Sequence, residues 1–89
     1  MAKARPVVIV SRDELNGVLL PVTVCPVTSQ IHATWRTRLA VRVGKRNAEI
    51  AVDQIRTISR TRVGRRIGDL ARGDAADLRR LISAMYAEE

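Results

Sequence analysis

Only one stretch of this chain repeats its apolar residues at helical spacing, and it comes last. Leu78, Leu81, Ile82 and Met85 form one stripe, with Arg79 and Arg80 facing away. The spacing predicts a helix from Gly73–Asp74 onward, and Asp74 and Asp77 near its amino end suit the macrodipole. Everything upstream is cut into short apolar runs separated by turn residues. Pro6 to Val10 holds a continuous Val-Val-Ile-Val run, which reads as a strand buried on both faces. Ser11, with Glu14 three positions on, predicts a short helical turn before the Asn16–Gly17 turn signal. Val18 to Val27 is the longest strand candidate. Pro21 and Pro26 cannot donate ladder hydrogen bonds, so that strand is expected to be bulged, at an edge, or broken near them.

Thr28 to Trp35 is polar and reads as an exposed loop. From Arg38 to Val43 the chain alternates, which points Leu39, Val41 and Val43 inward and Arg38 and Arg42 outward. A turn at Gly44–Asn47 follows, and Ala48 to Ser59 resumes β character. The apolar parity changes between Val52 and Ile55, predicting a bulge or bend at Asp53–Gln54. A turn and a short strand centred on Ile67 are expected within Thr61–Leu70. Four or five short strands followed by one helix define a mainly β fold with a C-terminal α-helix, as a compact barrel or two small sheets.

At 89 residues the chain is read as one domain spanning 1–89. A domain this small buries a modest share of its surface and often needs a disulfide, a metal or a partner subunit. One cysteine excludes an internal disulfide, and a single histidine beside it cannot build a zinc site, so no metal or cofactor is expected. Association between subunits remains. No run resembles a signal peptide or approaches the ~20 apolar residues needed to span a bilayer, so the expected setting is cytoplasmic, with no membrane partner.

The charge balance narrows the partner. Sixteen Lys and Arg against nine Asp and Glu give a formal net charge of +7, and all the basic residues except Lys3 and Lys45 are arginines. A guanidinium fork suits bidentate phosphate contact better than an ammonium does, which favours nucleic acid over a membrane surface. Trp35 and Tyr86 are the only large aromatics, too few for a row of base-stacking platforms.

Four blocks in order carry a family resemblance. Arg5-Pro6-Val7-Val8-Ile9-Val10-Ser11 resembles the Arg-Pro-(apolar run)-Ser strand of MazF/PemK-type toxins. Pro26-Val27-Thr28-Ser29 is similar to their Pro-(Val/Ile)-Thr-Ser, and Asp53-Gln54-Ile55-Arg56-Thr57-Ile58 to their most recognisable block. Arg62-Val63-Gly64-Arg65-Arg66-Ile67-Gly68-Asp69-Leu70 resembles the segment that follows. The match runs from Arg5 to about Met85. Upstream of Arg5 stand only Met1-Ala2-Lys3-Ala4, where typical members carry another strand, so the resemblance implies a short form or a late start.

The resemblance implies an SH3-like barrel of the MazF/PemK/CcdB type, assembled as a homodimer. It implies a metal-independent endoribonuclease that cuts single-stranded RNA and is neutralised by a cognate antitoxin with an acidic C-terminal tail. Residue by residue, Arg5 and Thr28 are the implied catalytic pair: Arg5 stabilises charge at the phosphate and Thr28 positions it. Ser29, Gln54 and Arg56 are the implied RNA contacts, with Asp53 orienting substrate or serving structure. One branch of the family uses an Arg two residues before that Asp; Ala51 stands there, so this chain follows the Arg/Thr version.

Other conspicuous residues have plainer readings. His32 lies in a loop with no acidic neighbour in sequence to orient it as a base. Cys25 reads as a small core residue. Trp35 is placed to touch a partner or to cap the barrel, and Arg60, Arg62, Arg65 and Arg66 form the densest basic cluster. Two alternatives stay open: an inactive member that binds nucleic acid or antitoxin, and a CcdB-like gyrase poison. The ending Met85-Tyr86-Ala87-Glu88-Glu89 lacks the aromatic and small apolar tail of the latter.

Overall fold

A computed structural model describes residues 6–11, 21–64, 66 and 68–86. Five strands form the body: β1 (Val7–Ile9), β2 (Val22–Thr28), β3 (Arg38–Val43), β4 (Arg46–Ala51) and β5 (Arg56–Ile58). Helix α1 (Arg72–Tyr86) closes the chain, so the fold is mainly β with a C-terminal helix. All pairings are antiparallel, in the order β1-β2-β4-β3, with β5 also on β2.

Strand β2 organises the sheet because it changes partners along its length. One edge holds β1 through Val24, Cys25 and Pro26, extended by Val10 N–H to Thr23 C=O (2.9 Å) and Val27 N–H to Pro6 C=O (3.0 Å). The opposite edge pairs with β5 through Val22–Val24 and then with β4 through Val27 and Thr28. Since Thr23 and Val27 bond toward β1, Pro26 would aim its missing N–H at the other edge, in the gap between β5 and β4. The strand therefore runs unbroken through Pro26, and Pro21 lies just before its first residue. Val18–Leu20, where this strand was expected to begin, and Arg12–Gly17, with most of the expected helical turn, lie outside the described residues.

The β3–β4 hairpin turns on Gly44 and Lys45. Positive φ occurs at Gly44 (62°) and not at Lys45, the backbone pattern of a type II′ turn, whose first central position favours glycine. The parity change at Asp53–Gln54 is realised as a 3-10 turn, Val52–Gln54, which redirects the chain from β4 into β5. A second 3-10 turn follows at Arg60–Arg62.

The core gathers Cys25, Val41, Ala48, Ile50, Val52 and Leu78, with Leu81, Ile82 and Met85 packed on its flank. The helical stripe thus docks as expected, while Arg79 and Arg80 remain exposed. Each fully buried valine or isoleucine contributes about 1.5–3 kcal/mol. No aromatic ring joins the buried set among the described residues. The Tyr86 hydroxyl donates to Val52 C=O (3.0 Å), tying the end of α1 to the 3-10 turn after β4.

Three expectations need correction. The Pro6–Val10 run is not buried on both faces: in β1 Val7 and Val8 are half-buried and Ile9 is 42% exposed. The inward and outward assignments fail at both ends of β3. Val43 is 42% exposed, since it sits at the hairpin tip beyond the core, while the Arg38 side chain, on the sheet face opposite Leu39 and Val41, is only 5% exposed beside the carboxylates of Glu49 and Asp53. Ile67 lies outside the described residues, and those around it (Val63, Gly64, Arg66 and Gly68–Leu70) form no strand; most are exposed and lack an apolar alternation to pair.

Candidate functional site

Thr28 is the last residue of β2, and β2 delivers it to the rim of the sheet. Its Oγ1 accepts a hydrogen bond from Gln30 N–H (3.1 Å), a local turn that sends the chain away from the strand. Ser29 and Gln30 are exposed. Arg5 lies outside the described residues. Pro6, the next residue, accepts the Val27 N–H, so it lies alongside the residue preceding Thr28.

Across the ladder from Thr28 stands Glu49. This carboxylate is the one buried charged or polar residue in the described core, at 3% exposure. Its Oε1 accepts the His32 backbone N–H (3.0 Å) and lies 3.9 Å from Arg38 Nη1. Arg38 Nε donates to Asp53 Oδ1 at 2.9 Å. The guanidinium carbon of Arg38 also lies 4.8 Å from the Trp35 ring centroid, a cation–π contact, and Trp35 stacks on His32 at 3.9 Å and 9° between planes. One arginine therefore links three segments: the loop after Thr28, the β4 strand, and the turn carrying Asp53.

Sequence reasoning missed Arg38 and Glu49. The signal for Glu49 was a lone charge inside the run Ala48-Glu49-Ile50-Ala51-Val52, where such a residue is costly without a partner. Asp53 reaches the cluster, its carboxylate engaged by Arg38. Gln54 and Arg56 are exposed, the first on the 3-10 turn and the second opening β5, where it pairs with Val24. No hydrogen bond joins either of them to Thr28 among the described residues.

Cys25 is fully buried in β2. Burial, and secondarily the Asp53 charge, push its thiol upward, opposite to the shift that would activate a nucleophile. The His32 ring lies on Trp35, and no carboxylate among the described residues orients its nitrogens for proton transfer. Arg36, Arg42, Lys45, Arg46, Arg56, Arg60 and Arg62 are exposed and make no ion pair among the described residues; they are spread over the surface, with Arg60 and Arg62 following Ile58, which pairs with Val22 at the end of β2 away from Thr28. Unneutralised arginine at a surface attracts phosphate.

A strand-end threonine, a neighbouring strand that follows Pro6 and a small antiparallel sheet closed by a terminal helix define the class, a small mainly β fold. The model of the family described as PemK-like, MazF-like toxin of type II toxin-antitoxin system matches residues 1–86, and the chain belongs to that family. Among solved structures it is similar to the Mycobacterium tuberculosis toxin MazF-mt6, at 29% identity and TM-score 0.81, covering 92% of this chain and 85% of that one. It is also similar to an Mtb toxin crystal structure, at 28% identity and TM-score 0.82, covering 93% of each. No curated protein matches the chain significantly. None of the described helices is long and apolar enough to cross a membrane.

Proposed function

We propose that this chain, as a single toxin domain, is a metal-independent endoribonuclease that cleaves single-stranded RNA in the cytoplasm and is held in check by an antitoxin with an acidic tail. The observation that carries the reading is the placement of Thr28 at the end of β2, beside the residue that pairs with Pro6 and across from the Glu49 cluster.

The chemistry asks little of the protein beyond charge and alignment. The RNA 2′-hydroxyl attacks the adjacent phosphorus as the bond to the 5′-oxygen breaks, leaving a 2′,3′-cyclic phosphate and a 5′-hydroxyl. Negative charge grows on the phosphoryl oxygens during attack. Arg5 neutralises it and supplies a proton to the departing 5′-oxygen, the proton released by the 2′-hydroxyl passes to water and solvent reprotonates the guanidine, and the Thr28 hydroxyl holds the phosphate in line. Ser29, Gln54 and Arg56 contact flanking nucleotides. The net positive charge of +7 raises local RNA concentration and equally suits an acidic antitoxin segment. A homodimer relieves the thin core of one subunit.

The test is incubation of a long single-stranded RNA with purified protein in EDTA, beside Arg5→Ala and Thr28→Ala. Discrete cuts that disappear in both variants support the assignment. Intact RNA from a folded wild-type protein moves the reading to an inactive member that binds RNA or antitoxin.

A further inference from the structure

We infer that Arg38 is a positioning residue, and that the buried Arg38–Glu49 pair is a clamp fixing the loop from Ser29 to Thr37 so that Thr28 meets RNA in one orientation. The inference rests on the ribonuclease reading for its kinetic consequence but not for its structural one.

Apart from its last residue, where Thr37 C=O accepts the Val52 N–H (3.1 Å), the loop has little else to hold it. Residues 29–36 are exposed apart from half-buried His32, and their few backbone bonds are local, such as Trp35 N–H to His32 C=O (2.8 Å). Two contacts with the sheet act from inside. Glu49 takes the His32 N–H, anchoring the middle of the loop to the strand position opposite Thr28. Arg38 then lies against Trp35 and, from the same guanidinium, bonds Asp53 and faces Glu49.

The charges are arranged as a relay of position rather than as a substrate site. The Arg38 side chain is 5% exposed and that of Glu49 is 4% exposed, so neither offers a free face to a phosphate. The Asp53 side chain is 29% exposed, with its carboxylate already engaged. A small domain gains little net stability from a buried ion pair compared with apolar packing, so holding one orientation of a loop is the role that fits the pair. A threonine held by a strand on one side and a loosely tethered loop on the other would sample several orientations without it, and in-line attack tolerates little misplacement.

Trp35 is the chain's sole tryptophan, so its fluorescence reports this loop directly. The experiment compares wild type with Arg38→Lys, which keeps the charge but loses the planar fork, Glu49→Gln, which keeps an acceptor for His32 N–H, and Arg36→Ala, an exposed neighbour outside the cluster. Circular dichroism establishes that each is folded. Acrylamide quenching of Trp35 is expected to rise in Arg38→Lys and, less strongly, in Glu49→Gln, and to stay at the wild-type level in Arg36→Ala. RNA cleavage by Arg38→Lys is expected to lose about tenfold to a hundredfold in kcat with KM little changed.

Unchanged quenching in a folded Arg38→Lys overturns the clamp. A raised KM with unchanged quenching also overturns it, because Arg38 would then touch RNA itself. Should Arg38→Lys fail to fold, Glu49→Gln decides by the same two readouts. If the wild type cuts no RNA, the ribonuclease reading fails, and the quenching comparison still decides the clamp.

Discussion

Replacing Arg38 by Met should destabilise the protein severely, and replacing Glu49 by Leu as well should restore much of the loss. At 3.9 Å the two charges attract by about 4 kcal/mol at an effective dielectric constant near 20. Desolvating both groups offsets most of that gain, so the intact pair contributes little net stability. Removing one partner is another matter. Arg38→Met leaves Glu49 almost fully buried with a single hydrogen bond, from His32 N–H, and such an orphaned charge costs about 3–5 kcal/mol. An 89-residue domain is stable by only about 4–13 kcal/mol in total. With about 1–1.5 kcal/mol per molar for a domain of this size, the urea midpoint should fall by about 2–5 M. The double variant Arg38→Met with Glu49→Leu leaves no buried charge at this point, and it should recover more than half of the shift. Urea titrations followed by far-UV circular dichroism measure all four proteins: wild type, Arg38→Met, Glu49→Leu and the double variant. A fall below about 0.5 M in the single variant, or a double variant as unstable as the sum of the singles, would refute the reasoning.

Other consequences of the structure are simpler. Leu78→Ala removes the helix residue seated among Cys25, Val41, Ile50 and Val52. It should cost about 2–4 kcal/mol, against less than about 0.5 kcal/mol for exposed Arg79→Ala, by the same titration. Tyr86→Phe deletes the hydrogen bond to Val52 C=O and should cost about 0.5–1.5 kcal/mol, with hydrogen exchange rising at the end of α1. The Cys25 thiol is raised above its ordinary value of 9.0 by burial and by Asp53. An unfolded chain therefore ionises this group first, so its contribution is intact below 9.0 and is lost as pH rises through the folded value. Cys25→Ala should lessen the fall of the urea midpoint above that pH.

Much of this fold was legible because its elements obey simple periods. The terminal helix was announced by Leu78, Leu81, Ile82 and Met85, and the bend at Asp53–Gln54 by a change of parity. Strand β3 has its expected ends for the same reason. What failed was the assumption that polarity decides exposure. Arg38 looked outward by alternation, yet Glu49 and Asp53 converge on it from β4 and the following turn, and a contact between such separate segments leaves no periodic trace. Val43 failed in reverse: its alternation continues past the point where the core ends. The candidate site was legible as blocks, Arg5-Pro6 and Pro26-Val27-Thr28-Ser29, through family resemblance. The residues that support it were not, because Glu49 is only one charge in an apolar run until its neighbours are known.

The central claim is that the substrate's own 2′-hydroxyl performs the cut. Its most direct test is a short RNA spanning one mapped cleavage position, compared with the same oligonucleotide carrying a single 2′-deoxy nucleotide on the 5′ side of the scissile bond, both in EDTA. The all-ribose strand should be cut to a product ending in a 2′,3′-cyclic phosphate, and the 2′-deoxy strand should remain whole. Equal cleavage of both would contradict the mechanism. Cleavage of neither, by folded protein, would contradict the enzyme.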